Sequence, residues 1–135
     1  MTTANHSQTK ILIVEDDTFL AGMYVTKLGM EHFATDLASD GKSGLEKAKK
    51  FAPDLILLDV LLPKLNGFDV LRSLKREPST RHIPVILLTN LGQKSDVLKG
   101  LELGASDYLI KAHFMPSEVV DKIKQTLRRA HPRSR

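Results

Sequence analysis

Residues 54–69 read DLILLDVLLPKLNGFD, and their order decides the fold. Four apolar residues, Leu55 to Leu58, end on a carboxylate, Asp59, before the chain resumes with Val60, Leu61 and Leu62. An unbroken apolar run of this length, followed by a loop through Pro63 and Asn66-Gly67, reads as a strand buried on both faces in a parallel sheet. Asp59 is then the group that the buried strand presents at the sheet's edge.

The pattern extends in both directions. Upstream, KILIVE (10–15) is predicted as the first strand. The segment DDTFLAGMYVTKLGME follows as a helix, with Asp17 as cap and Leu20, Met23, Tyr24 and Leu28 recurring at steps of three and four. FATDLAS is a weaker strand, and DGKSGLEKAKKF a short polar helix stopped by Ala52 and Pro53. Downstream of Asn66-Gly67 a helix turns Val70, Leu71 and Leu74 inward, and Pro78 helps to break it. PVILLT (84–89) is the fourth strand, Val97, Leu98 and Leu101 mark a fourth helix ending near Gly104, and DYLIK (107–111) is the fifth strand. Val119, Val120, Ile123 and Leu127 stripe the last helix. Five βα units in one α/β chain predict a flavodoxin-like (βα)5 fold, a doubly wound parallel sheet of order 2-1-3-4-5.

The totals agree with one domain. At 135 residues and 41% hydrophobic content the chain can build a single core. Residues 10–127 are expected to form it, with 1–9 a disordered N-terminal tail and 128–135 a basic C-terminal tail. No apolar window approaches the roughly 18 residues of a membrane span, and MTTANHSQTK lacks a secretory core, so a soluble, cytoplasmic domain is expected. The absence of cysteine excludes disulfides and thiolate metal sites. Of the 20 Lys and Arg, four (Arg128, Arg129, Arg133 and Arg135) follow residue 127, so the net charge of +4 belongs to the tail and the body is neutral. Nucleic acid is therefore not an expected partner of the domain.

In an open sheet of this order, ligands bind beyond the strands' carboxyl ends, between strands one and three. Strand one ends in Glu15-Asp16-Asp17, strand three in Asp59, strand four in Thr89 and strand five in Lys111. Converging carboxylates repel unless a cation neutralises them, and a hard ion such as Mg²⁺ takes carboxylates plus waters and a phosphate. Lys111 and Thr89 remain to grip an anion beside it. Asp59 is then a candidate nucleophile toward phosphorus, forming an acyl phosphate. Asp17 reads as the helix cap, Gly67 and Gly104 as turn and helix-end residues, and Asp69 as part of an exposed helix face.

ILIVEDD, LILLDVLLPKLNGFDVL, PVILLTN and GASDYLIK, in this order and spacing, resemble a response-regulator receiver domain of two-component signalling, of the chemotaxis-regulator kind, over residues 10–127. The resemblance implies a phosphorelay role, with Asp59 as phosphoacceptor and Mg²⁺ or Mn²⁺ held by Asp16 directly, Glu15 through water, Asp59 and the Leu61 carbonyl. It further implies that Thr89 and Lys111 contact the phosphoryl group and that Tyr108 is a switch aromatic turning inward. The implied partners are a histidine kinase or histidine phosphotransfer protein and an output partner or output domain. The implied output surface is the face of the fourth helix, fifth strand and fifth helix, which is also a possible homodimer contact. Catalysis is confined to the protein's own phosphorylation and phosphate loss.

Three positions depart from the family pattern. Ala112 stands where a cis proline usually follows the lysine, and because a non-proline cis bond costs roughly 2.5–4 kcal/mol, Lys111-Ala112 is expected to be either trans with a reshaped loop or held under strain. Asn90 replaces a small residue after Thr89, narrowing access for small phosphodonors. Leu61 and Leu91 are apolar at the two positions that influence how water reaches the acyl phosphate, which implies a long-lived phosphorylated state. The rival readings are a phosphorylation-independent pseudo-receiver interaction module and a haloacid-dehalogenase-type phosphatase, whose D-x-D spacing EDDT does not match. A dinucleotide-binding domain is excluded because no G-x-G-x-x-G follows KILIVE. His6, His32, His82, His113 and His131 show no metal-ligand spacing.

Overall fold

The computed structural model of the chain describes residues 9–130. Residues 1–8 and 131–135, where much of the two expected tails falls, lie outside the described residues. Strands and helices alternate: β1 (Lys10–Val14), α1 (Thr18–Met30), β2 (Ala34–Ala38), α2 (Gly41–Phe51), β3 (Leu55–Leu58), α3 (Gly67–Arg76), β4 (Val85–Thr89), α4 (Lys94–Glu102), β5 (Asp107–Ile110) and α5 (Pro116–Ala130). A 3-10 turn, Lys111–His113, joins β5 to α5, and α5 runs on through Arg128 and Arg129. The five strands form one sheet in the order β2-β1-β3-β4-β5, with every pair parallel. This is the flavodoxin-like doubly wound sheet that the sequence predicts.

Alternate residues of β1, β3 and β4 divide between two cores, as the pleat requires. Leu12, Val14, Ile56, Leu58, Val85 and Leu87 pack with α2 and α3 through Ala48, Phe68, Leu71 and Leu74. Ile11, Ile13, Leu55, Leu57, Ile86, Leu88 and Leu109 pack with α1 and α5 through Tyr24, Leu28, Val119 and Ile123. β3 is buried along its length, the environment that its unbroken LILL run demands.

Helix starts follow their caps. The side chains of Asp17, Asp40 and Asn66 accept hydrogen bonds from the amides of Leu20, Ser43 and Asp69, satisfying donors that a first turn leaves open. Gly104 takes a φ of +109° after α4, the helix-end role expected of it. Gly67 is not a turn glycine: it opens α3, and a Cβ there would lie 2.2 Å from the Asp59 carbonyl oxygen. Close backbone approach, rather than a turn, requires it. Asp69 sits in the first turn of α3 and pairs with Arg72 at 2.6 Å.

The apolar residues of α4 do not all face inward. Leu98 and Leu101 remain 52% and 45% exposed, while Gly100 is buried. A Cβ on Gly100 would meet Leu87 at 2.7 Å and the Tyr108 ring at 2.8 Å. The bare backbone of α4 therefore lies against that ring, and the two leucines turn outward.

Candidate functional site

Strand period two builds the site. On the α1/α5 side of the sheet, Ile11 and Ile13 lead to Glu15, Leu55 and Leu57 lead to Asp59, and Leu109 leads to Lys111. Glu15 and Asp59 lie one residue past their strands but keep the ladder, their amides donating to Ala38 at 2.9 Å and Val14 at 3.0 Å. Neighbouring parallel strands thus carry both carboxylates to the switch point between β1 and β3, where they are only 5% and 4% exposed.

The Lys111 ammonium lies 2.6 Å from Asp59 Oδ2 and 2.7 Å from Glu15 Oε1. The other Glu15 oxygen, Oε2, accepts from the Asp17 amide at 3.1 Å, and Asp59 Oδ1 accepts from the Leu61 amide at 3.1 Å. Burial pushes the Glu15 carboxyl above its ordinary value, opposed by the Lys111 hydrogen bond and reinforced by the Asp59 charge. Burial alone would depress Lys111, but its hydrogen bonds to Asp59 and Glu15 outweigh this and hold it above its usual value. Lys111-Ala112 is trans, since no described peptide bond is cis, and the 3-10 turn that follows β5 brings the amine to both carboxylates.

Carboxylate oxygens of Glu15, Asp16 and Asp59 lie within 4.8 Å of one another, the one such group of potential metal ligands among the described residues. Asp16 is the exposed member. Three hard oxygen donors against a single ammonium, open to solvent on the Asp16 side, fit a divalent ion of the Mg²⁺ or Mn²⁺ type and offer nothing to a soft metal. His32, His82 and His113 take no part in it.

Thr89, the last residue of β4, is fully buried. Its Oγ1 accepts from the Leu91 amide at 3.2 Å, and the Leu91 carbonyl accepts from the Tyr108 hydroxyl at 2.5 Å. The β4–α4 loop is therefore tied at one residue both to the site threonine and to the half-buried aromatic ring on β5. Burial, with the charges of Asp96 and Asp59, pushes the Tyr108 hydroxyl up to about 12.

Sequence reasoning missed Gly41, which shapes the loop after Asp59. A Cβ on Gly41, the first residue of α2, would lie 1.7 Å from the Leu65 carbonyl oxygen, and the Gly41 amide donates to the Pro63 carbonyl at 3.2 Å. Gly41 and Gly67 thus grip the segment that holds Asp59 and Leu61 from two sides. Tyr24 was missed as well. It belongs to the α1 face but lines the same narrow crevice as Glu15 and Asp59, and the only signal in the sequence is a hydroxyl on an otherwise apolar stripe.

Fold and site together define a class, an α/β domain that gathers three carboxylates and one ammonium at the switch point of a parallel sheet. The chain belongs to the response-regulator receiver family, whose model, described as the response regulator receiver domain, matches residues 11–124. It is the receiver domain of a two-component response regulator. It is 45% identical over 102 residues to the response regulator PleD of Caulobacter vibrioides, covering 76% of this chain and 22% of that protein. It is 41% identical over 120 residues to the DNA-binding response regulator MtrA of Mycolicibacterium paratuberculosis, covering 89% of this chain and 52% of that protein. The chain therefore spans about a fifth to a half of these relatives' length. A CheY-like receiver structure from Methanospirillum hungatei superposes with a TM-score of 0.85 at 26% identity, covering 92% of this chain and 97% of that one.

Proposed function

We propose that this receiver is a phosphorylation switch in which Asp59 accepts a phosphoryl group from a histidine kinase or a histidine phosphotransfer protein. The observation that carries this reading is the Lys111 ammonium, held 2.6 Å from a carboxylate that β3 buries at the sheet's switch point. An Asp59 oxygen attacks phosphorus as the P–N bond of the donor phosphohistidine breaks. The electron pair leaves on the imidazole nitrogen, which takes a proton from solvent. Lys111 neutralises charge on the transferred group, and the Thr89 hydroxyl donates to one of its oxygens.

Glu15, Asp16, Asp59 and the Leu61 carbonyl would hold Mg²⁺ or Mn²⁺, whose charge offsets that of the phosphoryl oxygens when it is bound. The response regulator Rcp1, 29% identical with a TM-score of 0.71, has been solved in a Mn(2+)-bound form, which supports a divalent ion as a ligand.

The switch is a population shift, because Thr89 and Lys111 contact the phosphoryl group in only one of two conformers. Tyr108 reports it through Leu91. The α4–β5–α5 face, on which Leu98 and Leu101 stand exposed, is the output surface for a partner, an output domain or a second copy. No helix among the described residues is long and apolar enough to cross a membrane, and a cytoplasmic setting suits a kinase-fed switch. The pseudo-receiver reading rests on Ala112 and Asn90, and the Lys111 contacts with Asp59 and Glu15 answer the first of these.

Intact-protein mass after incubation with acetyl phosphate or phosphoramidate and Mg²⁺ tests the proposal. One phosphoryl group should be gained, and the gain should be lost in Asp59→Asn and in a chelated control. If neither small donors nor a phosphorylated donor protein gives an adduct on the folded chain, the pseudo-receiver reading stands instead.

A further inference from the structure

Behind the ionic cluster, on its core side, stands Tyr24. Its ring belongs to the α1/α5 core with Ile13, Leu57 and Leu88, and the residue is only 3% exposed. With Glu15 and Asp59 it lines a crevice that has no room for a water molecule. The inner face of α1 is otherwise Ala21 and Leu28, so an aliphatic side chain would serve for packing alone. A tyrosine keeps its ring in the core and adds a polar tip, and the charges of Lys111, Glu15, Asp59 and Asp17 all act on this hydroxyl. Among the described residues its hydroxyl makes no hydrogen bond. Burial pushes it up to about 12, so it remains a proton donor at neutral pH.

Glu15 will need such a donor. In the resting protein both its oxygens are served, Oε1 by Lys111 and Oε2 by the Asp17 amide. A phosphoryl group on Asp59 draws the Lys111 ammonium toward its own oxygens, and Oε1 of a carboxylate that is 5% exposed then gives up that hydrogen bond, while the ion reaches Glu15 only through water from the Asp16 side. Leaving a buried acceptor unpaired is costly. A divalent ion enters from the exposed Asp16 side, whereas Tyr24 faces the cluster from the core.

We propose that Tyr24 is a positioning residue of the phosphorylated state, its hydroxyl donating to Glu15 when Lys111 turns to the phosphoryl group. The proposal rests on Asp59 being the phosphoacceptor. It assigns the hydroxyl no role in the resting state, where the ring alone matters.

The test compares the full chain with Tyr24→Phe, which keeps the ring and removes the hydroxyl. Thermal unfolding is followed in chelator, in Mg²⁺, and in Mg²⁺ with beryllofluoride, an analogue that adds to a carboxylate as a phosphoryl group does. Resting Tm should be nearly unchanged, while the apparent beryllofluoride affinity should weaken about tenfold, the effect of losing one hydrogen bond to a charged group. In a Glu15→Gln background, which removes the carboxylate that needs a donor, the same Tyr24→Phe change should have little effect. Equal beryllofluoride affinity in wild type and Tyr24→Phe would overturn the proposal and leave the phosphoacceptor reading intact. So would a lowered resting Tm with unchanged affinity, which would assign Tyr24 to packing. A wild-type chain that gives no response to beryllofluoride would overturn both.

Discussion

The Lys111 ammonium and Asp59 Oδ2 lie 2.6 Å apart although 52 residues separate them in sequence and a trans bond to Ala112 follows the lysine. The same ammonium holds Glu15 at 2.7 Å, so one cation keeps two buried carboxylates from facing each other uncompensated. Lys111→Met keeps the stem and removes the charge. In chelator this substitution should destabilise the fold by about 1–3 kcal/mol. Mg²⁺ should then stabilise the variant more than it does the wild type, because the ion takes over the neutralisation. Urea unfolding with and without the ion checks this, and equal stability in chelator would show that the contacts contribute nothing net.

Glu15 gives the site a pH dependence of definite sign. Burial raises its carboxyl above 4.5, so the folded protein binds this proton more tightly than the unfolded chain. The stability it contributes is complete below the unfolded value and is lost as pH rises through the raised one. In chelator, the stability of wild type relative to Glu15→Gln should therefore decline from about pH 4 upward. Lys111, also raised, adds a loss of the same sign as pH rises through its own value. A difference that grew with pH would mean that Lys111 outweighs burial at Glu15.

The sheet was legible because β1, β3 and β4 are apolar runs that only a buried strand explains, and α1 announces itself through its cap, Asp17. β2 read more weakly because it is an edge strand, largely half-buried. The carboxylates were legible because strand ends point to a known edge. What escaped was long-range contact: Gly41 against Leu65, Gly100 against Tyr108, and Tyr24 behind Glu15. Each depends on two backbones or a ring meeting across the fold, and no local period encodes that.

Gly41 offers a direct test of the loop. Its alanine variant would place a Cβ 1.7 Å from the Leu65 carbonyl oxygen, a backbone atom that cannot turn aside, whereas a Cβ on Gly22 meets nothing within 4 Å. Gly22→Ala should stabilise α1 by about 0.5–1 kcal/mol. Gly41→Ala should destabilise the fold by about 1–3 kcal/mol and weaken Mg²⁺ binding by displacing the segment that carries Leu61 and Asp59. Tyrosine emission suits the titration, since the chain has two tyrosines and no tryptophan. Unchanged Mg²⁺ affinity in Gly41→Ala would release α2 from any part in the site.

On the proposed phosphoacceptor reading, Leu61 and Leu91 set how long the phosphoryl group survives. Leu61 is 54% exposed beside Asp59, and neither leucine can orient water through a side-chain hydrogen bond. Replacing both by polar residues, Leu61→Asn with Leu91→Glu, should speed phosphate loss about tenfold, the effect of roughly 1.4 kcal/mol in the transition state. An unchanged decay rate, followed by intact mass, would remove these residues from control of the lifetime.

The central claim is that Asp59 itself carries the phosphoryl group, and borohydride reduction followed by peptide mapping tests it most directly, because hydride reduces an acyl phosphate of aspartate to homoserine. The account predicts homoserine at position 59 after treatment with phosphodonor and Mg²⁺, and unmodified aspartate at that position when either is omitted. A phosphoryl group that survives borohydride, or homoserine at Asp16 or any other position in its place, would contradict it.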